Sequence, residues 1–385
     1  MKTQNIKSHR VASLAPLVLG VFLGLPDIAR GQPPTPAPEA RTLLSGYMEF
    51  HYNKPEFVDG ELDFHRFVLL VTHRYSDRIR FVGELEVAHA FVEGLEEAGE
   101  LELEQAYLDF LFSRGLNIRA GLMLMPVGII NERHEPPVFY GVERPLVDTA
   151  LIPTTWFEIG VGVHGEVGRG WRYRAFLTAP LDAERFTAED GLRDGRQKGS
   201  RTNAGRLAAT ARLEYVGTPG LTTGVSVWTG RSGFQFRPRF DVPVHLIEAD
   251  ARYSFDRLEL RAEAVQVSVG NTPDLNDAVG RTIGIDPNVA KTMRGGYLEA
   301  GYRVVSGARF GDIGAFVRYE SVDTQHRMAD GYLPLREFDR TAWVVGATYW
   351  PDADIALKFD YTMLRNRSVS IVAPNSFNLG LGWWF

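Results

Sequence analysis

The chain has 385 residues, a formal net charge of −6, 44% hydrophobic residues and 23% charged residues. That balance excludes a helical membrane protein, and the mild acidity argues against a nucleic-acid binder. It leaves room for a membrane barrel, whose strands need apolar residues on one face only. Cysteine is absent, which excludes disulfides and cysteine-ligated metal or redox centres. Lysine is scarce, so nearly all of the 42 basic residues are arginine. A charged pore wall suits arginine, which keeps its charge everywhere and offers a planar fork; codon usage in a GC-rich genome explains the bias equally well.

In chain order, Lys2, Lys7, His9 and Arg10 make a positive start, followed by an apolar stretch from Val11 to Leu25 interrupted by Pro16 and Gly20. Ala29 and Gly31 supply small residues two apart, at the −3 and −1 positions of the expected cut. This pattern predicts a secretory signal peptide over residues 1–31, cleaved after Gly31, with an uncleaved anchor as the alternative. Residues 32–40 read as a proline-rich linker. The remaining 41–385 is expected to form one domain.

Within that domain no run of eighteen apolar residues occurs, and period-two alternation dominates. Ile79, Phe81, Leu85 and Val87 share one face against Arg80, Glu84 and Glu86. Leu207, Ala209, Ala211 and Leu213 oppose Arg206, Thr210, Arg212 and Glu214. Leu258, Leu260, Ala262 and Ala264 oppose Glu259, Arg261 and Glu263. Ile355, Leu357, Phe359 and Tyr361 oppose Lys358, Asp360 and Thr362. Residues 63–75 and 101–112 alternate poorly, and their register is open by one residue.

Connectors come in two sizes. Short ones include 76–78, 113–115, 168–170, 217–220, 255–257 and 351–354, built from turn residues. Long ones fall near 53–61, 92–100, 126–155, 180–203, 231–243, 270–294, 322–340 and 365–375. This predicts an all-β fold: a transmembrane antiparallel barrel of about sixteen strands, with short periplasmic turns and long extracellular loops. Both charge signs on the polar faces fit a water-filled lumen better than a soluble sandwich. The last strand places Phe377, Leu379, Leu381, Trp383 and Phe385 on one face. A terminal aromatic of this kind resembles the signal by which the barrel-assembly machinery recognises outer-membrane proteins.

The segment Glu104-Gln105-Ala106-Tyr107-Leu108-Asp109 and the stretch from Arg119 to Glu166 carry a family resemblance. GLMLMPVG, NERHEPP and IPTTWFEIGVGVHGE are its matching pieces. They resemble the phosphate-selective porins of the O and P type. The resemblance implies a sixteen-stranded porin, a homotrimer, and long loops folded inward to constrict the pore. Phosphate-binding members of that family are associated with lysine-rich basic pores, whereas residues 32–385 hold four lysines (Lys54, Lys198, Lys291, Lys358) and mixed loop charge. A channel for ions and small hydrophilic solutes is therefore expected, with anion or phosphate preference as the finer expectation.

The third long connector is about thirty residues long and carries Pro136, Pro137, Pro145 and Pro153. Such length points to function. Glu132, Arg133, His134, Glu135, Glu143 and Arg144 are its candidate constriction charges, since charged rings select ions; pairing that merely holds the loop is the competing account for each. Arg80, Glu84, Glu86, Arg206, Arg212, Arg261 and Arg318 are candidate lumen residues by strand phase, with Glu214, Glu259, Glu263 and Glu320 opposing them. His51, His65, His73 and His89 show no defensible serine or aspartate pairing for hydrolysis, so no enzyme and no cofactor is expected. His65, His73 and His89 show no tight metal-ligand spacing, so no metal site is expected either. Expected partners are the lipid bilayer and lipopolysaccharide of a Gram-negative outer membrane, the assembly machinery, two further copies of the chain, and small ions. The alternative reading is a structural or surface-binding outer-membrane barrel with a plugged lumen.

Overall fold

Alternation along the sequence becomes alternation of faces in space. The computed structural model describes residues 41–91, 99–233, 241–284 and 286–385. The expected signal peptide and linker lie outside the described residues, as do parts of the connectors near 92–100 and 231–243. Sixteen strands follow one another: β1 (Thr42–Pro55), β2 (Glu61–Ser76), β3 (Ile79–Ala88), β4 (Leu101–Leu111), β5 (Asn117–Leu124), β6 (Phe157–Val167), β7 (Trp171–Thr178) and β8 (Ala208–Tyr215). The second half comprises β9 (Leu221–Arg231), β10 (Pro243–Phe255), β11 (Leu258–Val269), β12 (Thr292–Ala308), β13 (Gly311–Arg327), β14 (Asp339–Asp352), β15 (Ile355–Asn366) and β16 (Ser376–Trp384). Each pairs with its sequence neighbours, and β16 pairs with β1 to close the barrel. Closure leaves no strand edge unpaired, which is what a hydrocarbon surround demands. The closing register sets Tyr47 opposite Trp384 and Phe50 opposite Leu381, and Phe385 exchanges two backbone hydrogen bonds with Gly46.

The distribution of polarity is the reverse of a soluble protein's. In β10, Glu248 and Asp250 are buried while Ile247 and Tyr253 are exposed. In β15, Lys358 and Asp360 are buried while Leu357 and Phe359 are exposed. Large apolar side chains on an outward face mark a surface that meets lipid. Tyr75, Phe112, Trp171, Phe255 and Phe310 stand exposed beside the short turns, the place of an interfacial aromatic girdle.

The two poorly alternating strands owe this to bulges. Between the pairs Glu49–Arg66 and His51–Asp63 the β1–β2 register shifts. The extra residue turns both His65 and Arg66 toward the lumen, where they line one cavity. On β4 the register shifts between the Glu84–Gln105 and Leu85–Leu103 pairs. Glu104 and Gln105 then both face inward, Gln105 donating to Glu84. A bulge puts two residues opposite one and breaks the period of two.

One long connector is not irregular. Within 270–291 a helix, α1, runs Thr272–Ile283, with Pro273 in its first turn and Gly284 in the left-handed conformation (φ 75°) at its end. Leu275, Ala278 and Val279 are buried; their helical spacing carries the helix against the interior.

Candidate functional site in the barrel lumen

The third long connector, 125–156 (L3), leaves short β5 at mid-height and enters the lumen. Asn131 clasps its base. Its Nδ2 donates to the carbonyls of Met125 (2.7 Å) and Trp156 (2.9 Å), and its Oδ1 accepts from the Trp156 amide (2.7 Å). Asn131 is fully buried.

Beyond the clasp, the barrel wall reads the L3 backbone group by group. Arg261 donates to the Val138 carbonyl at 2.8 Å, Thr348 to Tyr140 at 3.0 Å and Lys358 to Gly141 at 2.8 Å. Asp360 accepts from the Val142 amide at 2.7 Å and Glu320 from Leu146 at 2.6 Å. Arg318 donates to the Glu143 carbonyl at 3.2 Å while pairing with Glu320 (2.6 Å) and Glu299 (3.2 Å). Buried backbone groups need partners, and here the charged wall supplies them. At Gly382 an added Cβ would lie 2.3 Å from Pro136, so glycine lets L3 seat against β16.

The L3 charges separate into distinct roles. Glu132 pairs with Arg174 at 2.7 Å, and Arg133 is exposed. His134 inserts between Glu104 (3.4 Å) and Glu84 (3.9 Å), edge-on to Tyr47. Burial alone would pull its imidazole down; the Glu104 and Glu84 carboxylates outweigh burial and hold it above its ordinary value. Glu135 is half-buried. Glu143 meets His51 (3.1 Å) and Asn53 (2.7 Å); enclosure would raise its carboxyl, and those contacts bring it down to about 2. Arg144 reaches Thr155 at 3.4 Å, and burial lowers it to about 10. Asp148 is fully buried, and burial pushes its carboxyl up.

The wall candidates are placed as follows. Arg80 pairs with Asp109 (2.7 Å), and Glu86 with Arg66 (3.5 Å). Glu84 accepts from Gln105 and Tyr47. Arg212 is a hub, contacting Asp250 (2.6 Å), Glu248 (3.2 Å) and Glu214 (3.4 Å). Arg261 and Arg318 serve L3. Arg206 departs from the expectation: it precedes β8 on the connector and pairs with Asp241 at 2.5 Å, partly exposed at the rim. The strand does not extend that far, so the alternation of faces does not place it.

L3 is not alone inside. The next connector, 179–207 (L4), sends Arg193 to the Thr154 carbonyl (2.9 Å) and Arg196 to Thr155 (2.8 Å). Met125, Ile130, Leu151 and Trp156 of L3 join Leu181, Phe186 and Leu192 of L4 in one apolar cluster. Leu275 and Val279 of α1 and Trp228, Val244 and Val267 of the wall complete it; the Trp156 and Trp228 rings lie 5.5 Å apart. Polar space remains on both sides. At the long-loop end a cavity of about 1110 Å³ is lined by Arg144, Arg193, Arg196 and Lys198 together with Glu100 and Glu102. At the short-turn end a cavity of about 400 Å³ is lined by His164, Glu166, Arg172 and Arg174, among others.

Sequence reasoning missed several of these residues. Lys358, Asp360, Glu49 and Arg66 become visible as site residues only once L3 is placed. Asp109, fully buried, gathers Arg80, Arg119 (2.8 Å) and His164 (3.2 Å). His65 and His89 both contact Asp63, at 3.0 and 2.8 Å, whereas His73 bonds Thr42 at 2.7 Å.

Comparison with known proteins agrees on architecture. The outer membrane channel DcaP of Acinetobacter baumannii superposes with a TM-score of 0.60 at 13% identity, covering 89% of this chain and 97% of that one. An anion-selective porin from Comamonas acidovorans gives 0.57 at 11% identity, covering 89% and 99%. At such identities these matches establish the fold. No protein-family model matches the chain. An uncharacterized protein of Aquifex aeolicus (strain VF5) is 33% identical over 332 residues, 83% of this chain and 74% of its own length. By that identity and coverage, this sixteen-stranded barrel chain belongs to the same protein family as the Aquifex aeolicus protein.

Proposed function

We propose that the chain is an outer-membrane porin through which ions and small hydrophilic solutes diffuse, with L3 as the obstruction that sets what passes. The observation that carries this is the inside-out barrel whose charged interior is divided by L3 into two polar chambers. The channel and the porin that share its fold agree with it. Export by the 1–31 signal peptide, residence in a Gram-negative outer membrane and a trimeric assembly are parts of the same proposal. So is a preference for anions, phosphate among them, supported by Arg144, Arg193 and Arg196 at the outer chamber. Acidic residues share that chamber, so the preference is expected to be modest.

A second reading has its own support: the apolar cluster joining L3, L4 and α1 fills much of the interior, as in a plugged barrel that works through its surface loops. Planar-bilayer recording separates the two. A porin gives discrete conductance steps; a barrel that never conducts overturns the channel reading. In asymmetric salt, neutralising Arg133 and Arg144 together (R133Q/R144Q) is expected to shift the reversal potential toward cations. An unchanged potential would remove these two residues from selectivity.

A further inference from the structure

His65 and His89 are 24 positions apart in sequence, yet both present Nδ1 to one oxygen. Asp63 Oδ2 lies 3.0 Å from His65 Nδ1 and 2.8 Å from His89 Nδ1, and the three donor atoms fall within 4.8 Å of one another. Three features hold them there. His65 shares the inward face with Asp63 two positions away, and the β2 bulge falls between that pair and Arg66, which also turns inward. The His89 amide donates to the His65 carbonyl at 3.0 Å, and its backbone takes the left-handed conformation (φ 50°). The His65 ring stacks on His51 at 4.7 Å, and His51 is itself held by Glu49 (3.2 Å) and Glu143 (3.1 Å).

We propose that Asp63, His65 and His89 form a binding site for a divalent transition-metal ion of the zinc class at the long-loop mouth of the barrel. Two imidazole nitrogens and one carboxylate oxygen are a donor set for borderline ions. Tetrahedral ligands around zinc stand about 3.3 Å apart, so the present contacts need to open by only a few tenths of an ångström. Binding displaces the protons that now lie between the imidazoles and the carboxylate. Both histidines line the outer cavity of about 1110 Å³, which gives an ion its route in and leaves a fourth position for water. The stacked His51 fixes ring orientation, as outer partners do at metal centres. A second cluster, Glu84, Glu104 and His134, is of another kind. It has one nitrogen and is sealed beneath L3, each side chain no more than 3% exposed, and its geometry is accounted for by anchoring the loop.

The test uses untagged, chelator-treated protein in detergent, titrated calorimetrically with zinc chloride. One zinc per chain is expected, with affinity reduced at least about tenfold in each of D63N, H65A and H89A and unchanged in H73A. Cobalt(II) in place of zinc is expected to give visible ligand-field bands that H65A abolishes. Should a variant fail to fold, the unsubstituted protein still decides: zinc is expected to protect His65 and His89 from diethyl pyrocarbonate, read by peptide mass. Absence of binding, absence of protection, or binding lost in H134Q but retained in H65A and H89A overturns the proposal. None of these readouts uses conductance, so the metal site and the channel reading stand or fall separately.

Discussion

Replacing Arg318 by alanine is expected to destabilise the barrel by about 3–5 kcal/mol, the cost of leaving buried charges without their counter-ion. Arg318 is 2% exposed and lies between Glu299 and Glu320. Its third contact, to the Glu143 carbonyl, ties the wall to the tip of L3. The substitution deprives Glu320 of its arginine, leaves Glu299 with Arg261 at 3.6 Å, and removes one of the wall's holds on the loop. Guanidinium unfolding of the lipid-embedded barrel, followed by tryptophan fluorescence, measures the first effect. Larger and noisier conductance steps report the second. Lysine is expected to recover only part of the stability, because a point charge cannot meet two carboxylates and a carbonyl in the geometry of a guanidinium fork. An R318A barrel of unchanged stability would show that Glu299 and Glu320 are held by something else.

Asn131→Asp is expected to cost about 3 kcal/mol, the upper end of the penalty for a buried polar group deprived of its partner. The replacement is nearly isosteric, so it changes chemistry rather than shape. The amide that donates to Met125 and Trp156 becomes an oxygen facing two carbonyl oxygens. Both limbs of L3 then lose their clasp where they meet. Trypsin reports this directly, since Arg133, followed by His134, stands on the loop: the variant is expected to be cut after Arg133 under conditions in which the parent resists. Equal resistance would mean that the apolar cluster alone holds the base.

The legible part of the fold was the part governed by a local rule. In 207–215, 258–264 and 355–362 one face is apolar and the other charged, and these strands lie as expected. Residues 63–75 and 101–112 resisted because bulges at His65–Arg66 and Glu104–Gln105 add an inward residue; that shift follows from what each strand faces across the lumen. The α1 helix was read as loop although Leu275, Ala278 and Val279 carry a helical spacing. L3 stood out by its length, prolines and charge. Its anchors did not, because Val142 meets Asp360 across 218 positions of sequence and Gly141 meets Lys358 across 217. Nor did the division of labour among wall charges. Arg261 and Arg318 were expected to face water, and they face the backbone of L3 instead. The separation of His65 from His89 concealed a cluster for the same reason: a barrel brings together residues whose spacing in sequence says nothing about ligation.

The charge carried by L3 has a consequence for its response to an electric field. Its acidic side chains are Glu132, Glu135, Glu143 and Asp148; its basic ones are Arg133, His134 and Arg144. Burial pushes the Asp148 carboxyl up toward its neutral form, and the glutamates around His134 favour its charged imidazole. With Asp148 neutral and His134 charged, three positive groups balance three negative ones. An elementary charge crossing 100 mV exchanges about 2.3 kcal/mol, but a loop whose charges cancel couples to voltage only through its dipole. Applied potential therefore does little net work on L3 as a body, and its position is governed by the polar side chains of β11, β13, β14 and β15 that grip its backbone.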